Sequence, residues 1–338
     1  MASNPAGTGK TASQAGTAIP FFARQPRRRH EKYDRLLAMA RKVRPLVAAI
    51  AHPCDEASLA GAMDAARMGL LVPLLVGPRA RIQAAASQAG LDISGCEIVD
   101  VPHSHAAAEH AVHLVRGGRA GALMKGSLHT DELMAAVVDR EKGLRTSRRL
   151  SHCFVLDVPA LEQPLIITDA AVNIAPTLDE KADIVQNAIE LARALDMGEA
   201  RVAILSAMET VNSKVTSTIE AAALCKMAER GQIRGGVLDG PLALDNAINA
   251  EAAKVKGIVS NVAGQANVLV VPDLEAGNML AKSLSFLAQA DAAGIVLGAR
   301  VPIMLTSRAD SVAARLASCA VAVLLDHARA QSPSQALS

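Results

Sequence analysis

Short apolar runs alternate with alanine-rich helical patterns from Tyr33 onward, and this alternation limits the possible folds more than any other feature. It is typical of βαβ units, in which helices connect parallel strands. The predicted strands are residues 45–51, 72–76, 97–99, 120–124, 153–157, 165–168, 202–205, 236–239, 268–271, 293–297 and 302–306. The sequence therefore predicts an α/β fold with a mostly parallel sheet.

Helical patterns fill the segments between these strands. They predict helices at residues 56–68, 79–89, 106–116, 178–195, 216–230, after Gly277 and at 309–328. Thr177 and Glu180 have the spacing of a capping box, which marks the start of the fourth of these helices. About 300 ordered residues exceed one usual core, so we expect two α/β domains with a boundary in the basic connection 140–149.

Composition excludes several functional classes. Lys and Arg number 35 against 33 Asp and Glu, and aromatic residues make up 1%, so binding to nucleic acid is not expected. The five cysteines are odd in number and have no CxxC spacing, which indicates a reducing cytoplasm. No apolar run reaches the length of a membrane span, and residues 1–30 have the composition of a mobile tail.

Strand ends carry the strongest chemical signals, because open parallel sheets bind ligands at the carboxyl ends of their strands. After the strand at 120–124, Gly126 lets the backbone approach a ligand, and Ser127 or Thr130 can open a helix that attracts an anion. The acidic residues of the next turn satisfy the same helix dipole and weaken this interpretation. The candidate binding residues here are Lys125, Gly126, Ser127, His129 and Thr130.

Four further segments offer polar side chains. Asp239 and Asn278 follow strands, where they serve either a ligand or an ordinary turn and helix cap. The basic cluster 140–149, with Arg145 and Arg148, suits a phosphorylated ligand such as a coenzyme A nucleotide, or is a solvated loop. Ser307 follows the last strand and can donate a hydrogen bond to an oxyanion.

Arg308 stands beside that serine, and its guanidinium can fork onto phosphate or onto a developing oxyanion. A surface arginine next to a serine cap is the alternative. No metal site is expected, because no carboxylate or thiolate motif completes the four histidines of the segment 103–113.

Taken together, these segments resemble the phosphate acetyltransferase/phosphate butyryltransferase family over residues 35 to 330. The motifs that carry the resemblance are Met124-Lys125-Gly126, Gly143-Leu144-Arg145-Thr146, Asp239-Gly240-Pro241-Leu242-Ala243, Ala266-Asn267-Val268-Leu269 through Pro272-Asp273-Leu274 to Gly277-Asn278, and Thr306-Ser307-Arg308-Ala309-Asp310. The residues of the second and third motifs are closer to those of the butyryl-type branch.

The resemblance implies two α/β domains like those of isocitrate and isopropylmalate dehydrogenases. The expected division is a tail at 1–30, a first domain from 31–150 plus 298–338, and a second domain at 151–297. It also implies a homodimer that converts a short acyl-CoA and phosphate to acyl phosphate and CoA without metal or other cofactor, and the cysteines indicate that this enzyme is cytoplasmic.

In the mechanism implied by the family, Arg308 stabilises developing charge and Ser307 assists near the thiol. Acetyl-specific members have an aspartate seven residues after the serine, where this chain has Ala314. Asp310 is the nearest carboxylate and becomes the candidate base for the thiol. The alternatives are Ser307 and a backbone-stabilised thiolate, because a thiol with a pKa near 8.5 is already partly ionised at neutral pH. An arginine of acetyl-specific members is also missing near Met134, and Arg145 or Arg148 is its candidate substitute.

Two other functions are compatible with this sequence. One is a metal- and NAD-dependent hydroxyacid dehydrogenase of the same fold, such as the 4-hydroxythreonine-4-phosphate type. Its metal ligands would have to come from Asp239, Asp245 and Asp273, which form no convincing set. The other is a non-catalytic protein that binds acyl-CoA or acyl phosphate.

Overall fold

The apolar runs form one continuous sheet in the computed structural model, which describes residues 31–305 and 310–331. The strands are β1 (Leu46–Ala51), β2 (Leu71–Gly77), β3 (Glu97–Asp100), β4 (Ala122–Lys125), β5 (Ser151–Asp157), β6 (Leu165–Thr168), β7 (Ala200–Leu205), β8 (Gly236–Leu242), β9 (Val268–Val270), β10 (Asp291–Leu297) and β11 (Ile303–Met304). Their order across the sheet is β3-β2-β1-β4-β11-β10-β5-β6-β9-β7-β8. The predicted strands are thus confirmed as members of a mostly parallel α/β sheet.

Helices follow most of the strands, as predicted. They are α1 (Glu31–Ala40), α2 (Glu56–Arg67), α3 (Arg79–Gln88), α4 (Ser104–Arg116), α5 (Thr130–Val138), α6 (Leu178–Ala194), α7 (Thr216–Glu229), α8 (Leu244–Ile248), α9 (Ala250–Val255), α10 (Leu274–Leu287) and α11 (Val312–Gln331). The capping box is confirmed, since the Thr177 side chain accepts from the backbone of Glu180 at the start of α6. Among the described residues, no helix is long and apolar enough to cross a membrane.

Strand direction divides the sheet into two groups. β1, β2, β3, β4 and β11 are parallel to one another, and β6, β7, β8 and β9 are parallel to one another. Three antiparallel pairings separate the groups, β11 with β10, β10 with β5, and β5 with β6. Three reversals make the groups run in opposite directions. We call the end where β1, β4 and β11 finish the Lys125 end, and the end where β6 to β9 finish the Thr168 end.

The core lies on both faces of this sheet because side chains alternate along each strand. Ile50 and Met124 are buried in the cluster that includes α2 and α11. Ala49 and Leu123, their neighbours in sequence, are buried in the cluster that includes α4. The strands are therefore held between two packed layers of helices.

The expected domain boundary near residue 150 falls just before β5, which pairs with β10 and β6 inside the continuous sheet. The division into 31–150 plus 298–338 and 151–297 remains a prediction. The predicted tail, residues 1–30, lies outside the described residues.

Candidate active site

β1, β4 and β11 are neighbours and finish at the same end of the sheet. Met124 lies opposite both Ile50 and Met304 in the strand register. The residues that follow β4 therefore lie between those that follow β1 and those that follow β11, at strand spacings of about 4.8 Å. The segment 306–309, which contains Ser307 and Arg308, lies outside the described residues.

Gly126 packs against the backbone that follows β1. Its N–H donates to the carbonyl oxygen of Ala51 at 2.9 Å. A Cβ at this position would lie 2.3 Å from that oxygen and 2.6 Å from the carbonyl oxygen of His52. Real Cβ atoms do not approach oxygen so closely, so glycine is required here for contact between two strand ends, and not primarily for a ligand.

We expect Gly126→Ala to lower the free energy of unfolding by about 3 kcal/mol or more, because the added methyl forces two backbone segments apart. Urea denaturation measures this loss. Gly95→Ala is the matched control, since a Cβ at Gly95 meets nothing within 4 Å. The control variant should change by less than about 0.5 kcal/mol. Equal stability of the two variants would contradict the close approach at Gly126.

Ser127 connects the same two strand ends through its side chain. Its hydroxyl donates to the carbonyl oxygen of His52 at 2.7 Å and lies 2.9 Å from Nδ1 of that histidine. The backbone N–H of Cys54 donates to Ser127 Oγ at 3.3 Å. The predicted binding residue Ser127 is therefore part of a network that fixes the loop after β1.

His52 was not identified from the sequence. It is buried and adopts a left-handed backbone conformation with φ of 54°, which is uncommon for a residue with a side chain. Burial lowers the pKa of its imidazole, and the nearby charge of Arg81 lowers it further. Both effects favour the neutral imidazole over the imidazolium at this strand end. The available signal was a polar residue directly after the apolar run of β1.

The start of α5 holds the remaining candidates of this segment. His129 is the N-cap residue, and its N–H donates to Glu132 Oε2 at 3.1 Å. Glu132 also accepts from Ser104 at 2.9 Å and pairs with His105 at 3.0 Å. Its carboxylate thus occupies the helix start, as the acidic first turn predicted. Thr130 begins α5 and is exposed, and Lys125 Nζ lies 3.3 Å from the Gly126 carbonyl oxygen.

Asp310 resumes the described chain after residue 309 and is half-buried. Its carbonyl oxygen accepts from Arg315 Nη1 at 2.9 Å. The adjacent Ser311 accepts from the N–H of Ala314 at 3.1 Å and donates to Asp291 at 3.2 Å, which fixes the start of α11. Ala314 is buried, so the position of the missing aspartate faces the core.

Arg145 and Arg148 are not brought to this end. They precede β5, whose first residue lies opposite the last residue of β10. Arg145 forms an isolated antiparallel β-bridge with Ala299. Both residues therefore lie toward the Thr168 end. Arg148 is paired with Glu190 of α6 and its side chain is 11% exposed, so its charge is already compensated. Arg145 is exposed.

Asp239 and Asn278 also lie toward the Thr168 end. Asp239 is in β8 and Asn278 follows β9, and both strands finish at that end. β8 continues to Leu242, so Asp239 does not follow a strand as predicted, and its Oδ1 accepts from the Gly240 N–H at 2.8 Å. α10 begins at Leu274 and not after Gly277, because Asp273 caps it by accepting from Ala276 at 2.8 Å.

Asn278 consequently lies inside α10 and is not a cap. Its Nδ2 donates to the carbonyl oxygen of Ala170 at 3.2 Å. Gly277 makes this contact possible, since a Cβ there would lie 2.7 Å from the Asp169 carbonyl oxygen. The four predicted strand ends therefore fall into two groups, with β4 and β11 finishing at the Lys125 end and β8 and β9 at the Thr168 end.

A second polar network lies at the Thr168 end and was not predicted from the sequence. Asp169 accepts from the backbone N–H of His152 at 3.0 Å and from Asn173 at 2.6 Å. Burial lowers the pKa of His152 to about 4, so its ring is neutral near pH 7. In the described part of the chain, no three His, Cys, Asp or Glu side chains are grouped closely enough to hold a metal ion.

Comparison with known proteins agrees with this fold and with the motifs. The model of the family described as "Phosphate acetyl/butaryl transferase" matches residues 103–323. The chain belongs to this family. It is therefore an acyltransferase, and phosphate acyl transfer is supported over the dehydrogenase and the non-catalytic binding protein.

A phosphate acetyltransferase from Rhizobium meliloti is 68% identical over 293 residues, which cover 87% of this chain and 93% of the relative. A phosphate butyryltransferase from Clostridium beijerinckii is 39% identical over 87% of this chain and 98% of its own length.

The crystal structure of a branched-chain phosphotransacylase from Enterococcus faecalis matches with a TM-score of 0.73 and 30% identity. The match covers 83% of this chain and 99% of that structure. A 4-hydroxythreonine-4-phosphate dehydrogenase from Klebsiella pneumoniae matches 83% of this chain and 99% of its own with a TM-score of 0.54 and 12% identity. This second match shows a shared dehydrogenase-like fold and nothing about activity.

Proposed function

We propose that this chain transfers an acetyl group between CoA and phosphate. The observation that carries the proposal is the 68% identity to a phosphate acetyltransferase over most of both chains. The relative named as a butyryltransferase is more distant, at 39% identity. This difference in identity outweighs the residues of the two motifs that favoured the butyryl-type branch, and acetyl-CoA is the proposed substrate.

In the direction of acetyl-CoA synthesis, the CoA sulfur attacks the carbonyl carbon of acetyl phosphate. The carbon–sulfur bond forms, the bond from carbon to the phosphate oxygen breaks, and phosphate leaves. We assign Arg308 to the developing oxyanion, Ser307 to a hydrogen bond beside it, and Asp310 to the thiol proton. The half-buried position of Asp310, two residues beyond Arg308, supports its assignment.

We assign substrate binding at the same end to Lys125, Gly126, Ser127, His129 and Thr130. These residues follow β4, the neighbour of β11 in the sheet. Arg145 is exposed and remains our candidate for the CoA phosphates. Arg148, Asp239 and Asn278 remain weaker candidates, because each already contacts another part of the chain.

We expect phosphate-dependent release of CoA from acetyl-CoA, unchanged by a chelator and independent of NAD. Thiol release is measured with acetyl-, propionyl-, butyryl- and isobutyryl-CoA, each with and without phosphate. The acetyl substrate should give the highest kcat/KM, and omission of phosphate is the control. A preference for butyryl-CoA would overturn the acetyl assignment alone. NAD reduction that a chelator abolishes would overturn the acyltransferase reaction.

We also propose a cytoplasmic homodimer that needs no metal or other cofactor besides its substrates. The family resemblance supports the dimer, and so do exposed apolar side chains on α10, with Met279 63%, Phe286 74% and Leu287 78% exposed. The free state of all five cysteines supports a reducing compartment.

A further inference from the structure

Arg315 lies at the Lys125 end although nothing in its sequence surroundings singled it out. It is the fourth residue of α11, and helical side chains extend back toward the N-terminus of their helix. Its Nη1 donates to the carbonyl oxygen of Asp310 at 2.9 Å. The guanidinium therefore lies beside the backbone of Asp310, just before the start of α11.

The stem of Arg315 passes over α2. An added Cβ on Gly61 would lie 3.2 Å from Cδ of Arg315 and 3.6 Å from Cε of Met124. The absence of a side chain at Gly61 thus makes room for the arginine between α2 and α11. Met124 directly precedes Lys125 at the carboxyl end of β4, so the charge is held close to the strand ends.

The charge of Arg315 is uncompensated within the described residues. Its Nε is enclosed and has no hydrogen-bond partner. Its Nη1 donates to a backbone carbonyl oxygen and not to a carboxylate. Arg148, by contrast, is partly enclosed and is paired with Glu190. A half-buried guanidinium without a counter-charge is unfavourable, and a bound anion removes that cost.

We propose that Arg315 binds the phosphate group of the reaction, as inorganic phosphate in one direction and as the phosphoryl group of the acyl phosphate in the other. This inference rests on the proposed function. Arginine suits the task because its planar fork donates two parallel hydrogen bonds to phosphate oxygens. Arg315 and Arg308 then hold different groups, the phosphate and the carbonyl oxyanion.

The test compares Arg315→Met with the parent chain. We expect the KM for phosphate to rise about 10–100-fold, the effect of losing charge-assisted hydrogen bonds, while the KM for acetyl-CoA changes by less than about twofold. Arg315→Lys should give an intermediate KM for phosphate, because a point charge replaces a fork. Inorganic phosphate should raise the Tm of the parent, against chloride at equal ionic strength, and not that of Arg315→Met.

Arg329→Met is the matched control on the same helix. Arg329 also has enclosed, unpartnered nitrogens, Nε and Nη1, but it lies about 21 Å further along α11. Its replacement should leave the KM for phosphate unchanged. An unchanged KM for phosphate in Arg315→Met, or an equal rise of both KM values, would overturn the inference.

If Arg315→Met does not fold, the two KM values of Arg315→Lys decide by the same criterion. If the parent releases no CoA, the proposed function fails. The Tm response to phosphate in the parent and in the Arg315 variants then tests the anion site by itself.

Discussion

Replacing Arg308 by alanine is expected to lower kcat by about 10²–10³, the usual loss when one preorganised donor to a developing oxyanion is removed. The residue belongs to the segment after β11, whose last residue lies beside Met124 of β4, and we assign its charge to the end of the sheet where Gly126 and Ser127 lie. Arg308→Lys should recover part of the rate, because a lysine carries the charge without the planar fork. Steady-state thiol release measures both variants.

Arg300→Ala is the control for this prediction. Arg300 is exposed and precedes β11 at the opposite end, where its N–H donates to the carbonyl oxygen of Leu144 at 3.0 Å. Removing its side chain takes away the same charge without reaching the proposed site. A kcat of Arg308→Ala equal to that of Arg300→Ala would contradict the proposed mechanism.

Asp310→Asn is expected to lower kcat by about 10²–10⁴, because the amide cannot take the proton of the CoA thiol. The reaction then depends on thiolate already present in solution, and a thiol has a pKa near 8.5. The rate of the variant should therefore climb as pH rises toward that value, while the parent rate should rise less steeply. A pH series of thiol release in the direction of acetyl-CoA synthesis measures this difference.

Asp245→Asn serves as the matched control, since Asp245 is exposed in α8, after a strand that finishes at the Thr168 end. It should keep the parent rate and pH profile. Near-normal rates in Asp310→Asn remove the assignment of the base and leave the Arg308 prediction intact. A lowered rate with an unchanged pH profile also argues against a proton acceptor at Asp310.

Several features of the fold and of the site follow from sequence because they are local. The capping box at Thr177 and Glu180 satisfies groups within one turn of helix, so its pattern and its structure coincide. The acidic residues that follow Thr130 likewise predicted a helix start whose dipole is already satisfied, and Glu132 is placed accordingly. The Ser307-Arg308 motif and the family resemblance needed no tertiary information.

Other features depend on pairing between distant segments. The antiparallel pairs β10–β11, β10–β5 and β5–β6 reverse the strand direction, and no local pattern encodes a pairing partner. This reversal moves Arg145, Arg148, Asp239 and Asn278 away from the end that holds Gly126.

The sequence by itself determined the α/β class, the strands, most of the helices and the family, because hydrophobic periodicity, caps and motifs are written in neighbouring residues. Only the tertiary structure decided which strand ends lie side by side, why Gly126 must be glycine, and which arginines are paired with a carboxylate. Those properties arise from contacts between residues far apart in the chain. Arg148 is neutralised by Glu190 across 42 positions, whereas Arg315 contacts a backbone carbonyl and keeps its charge for a ligand.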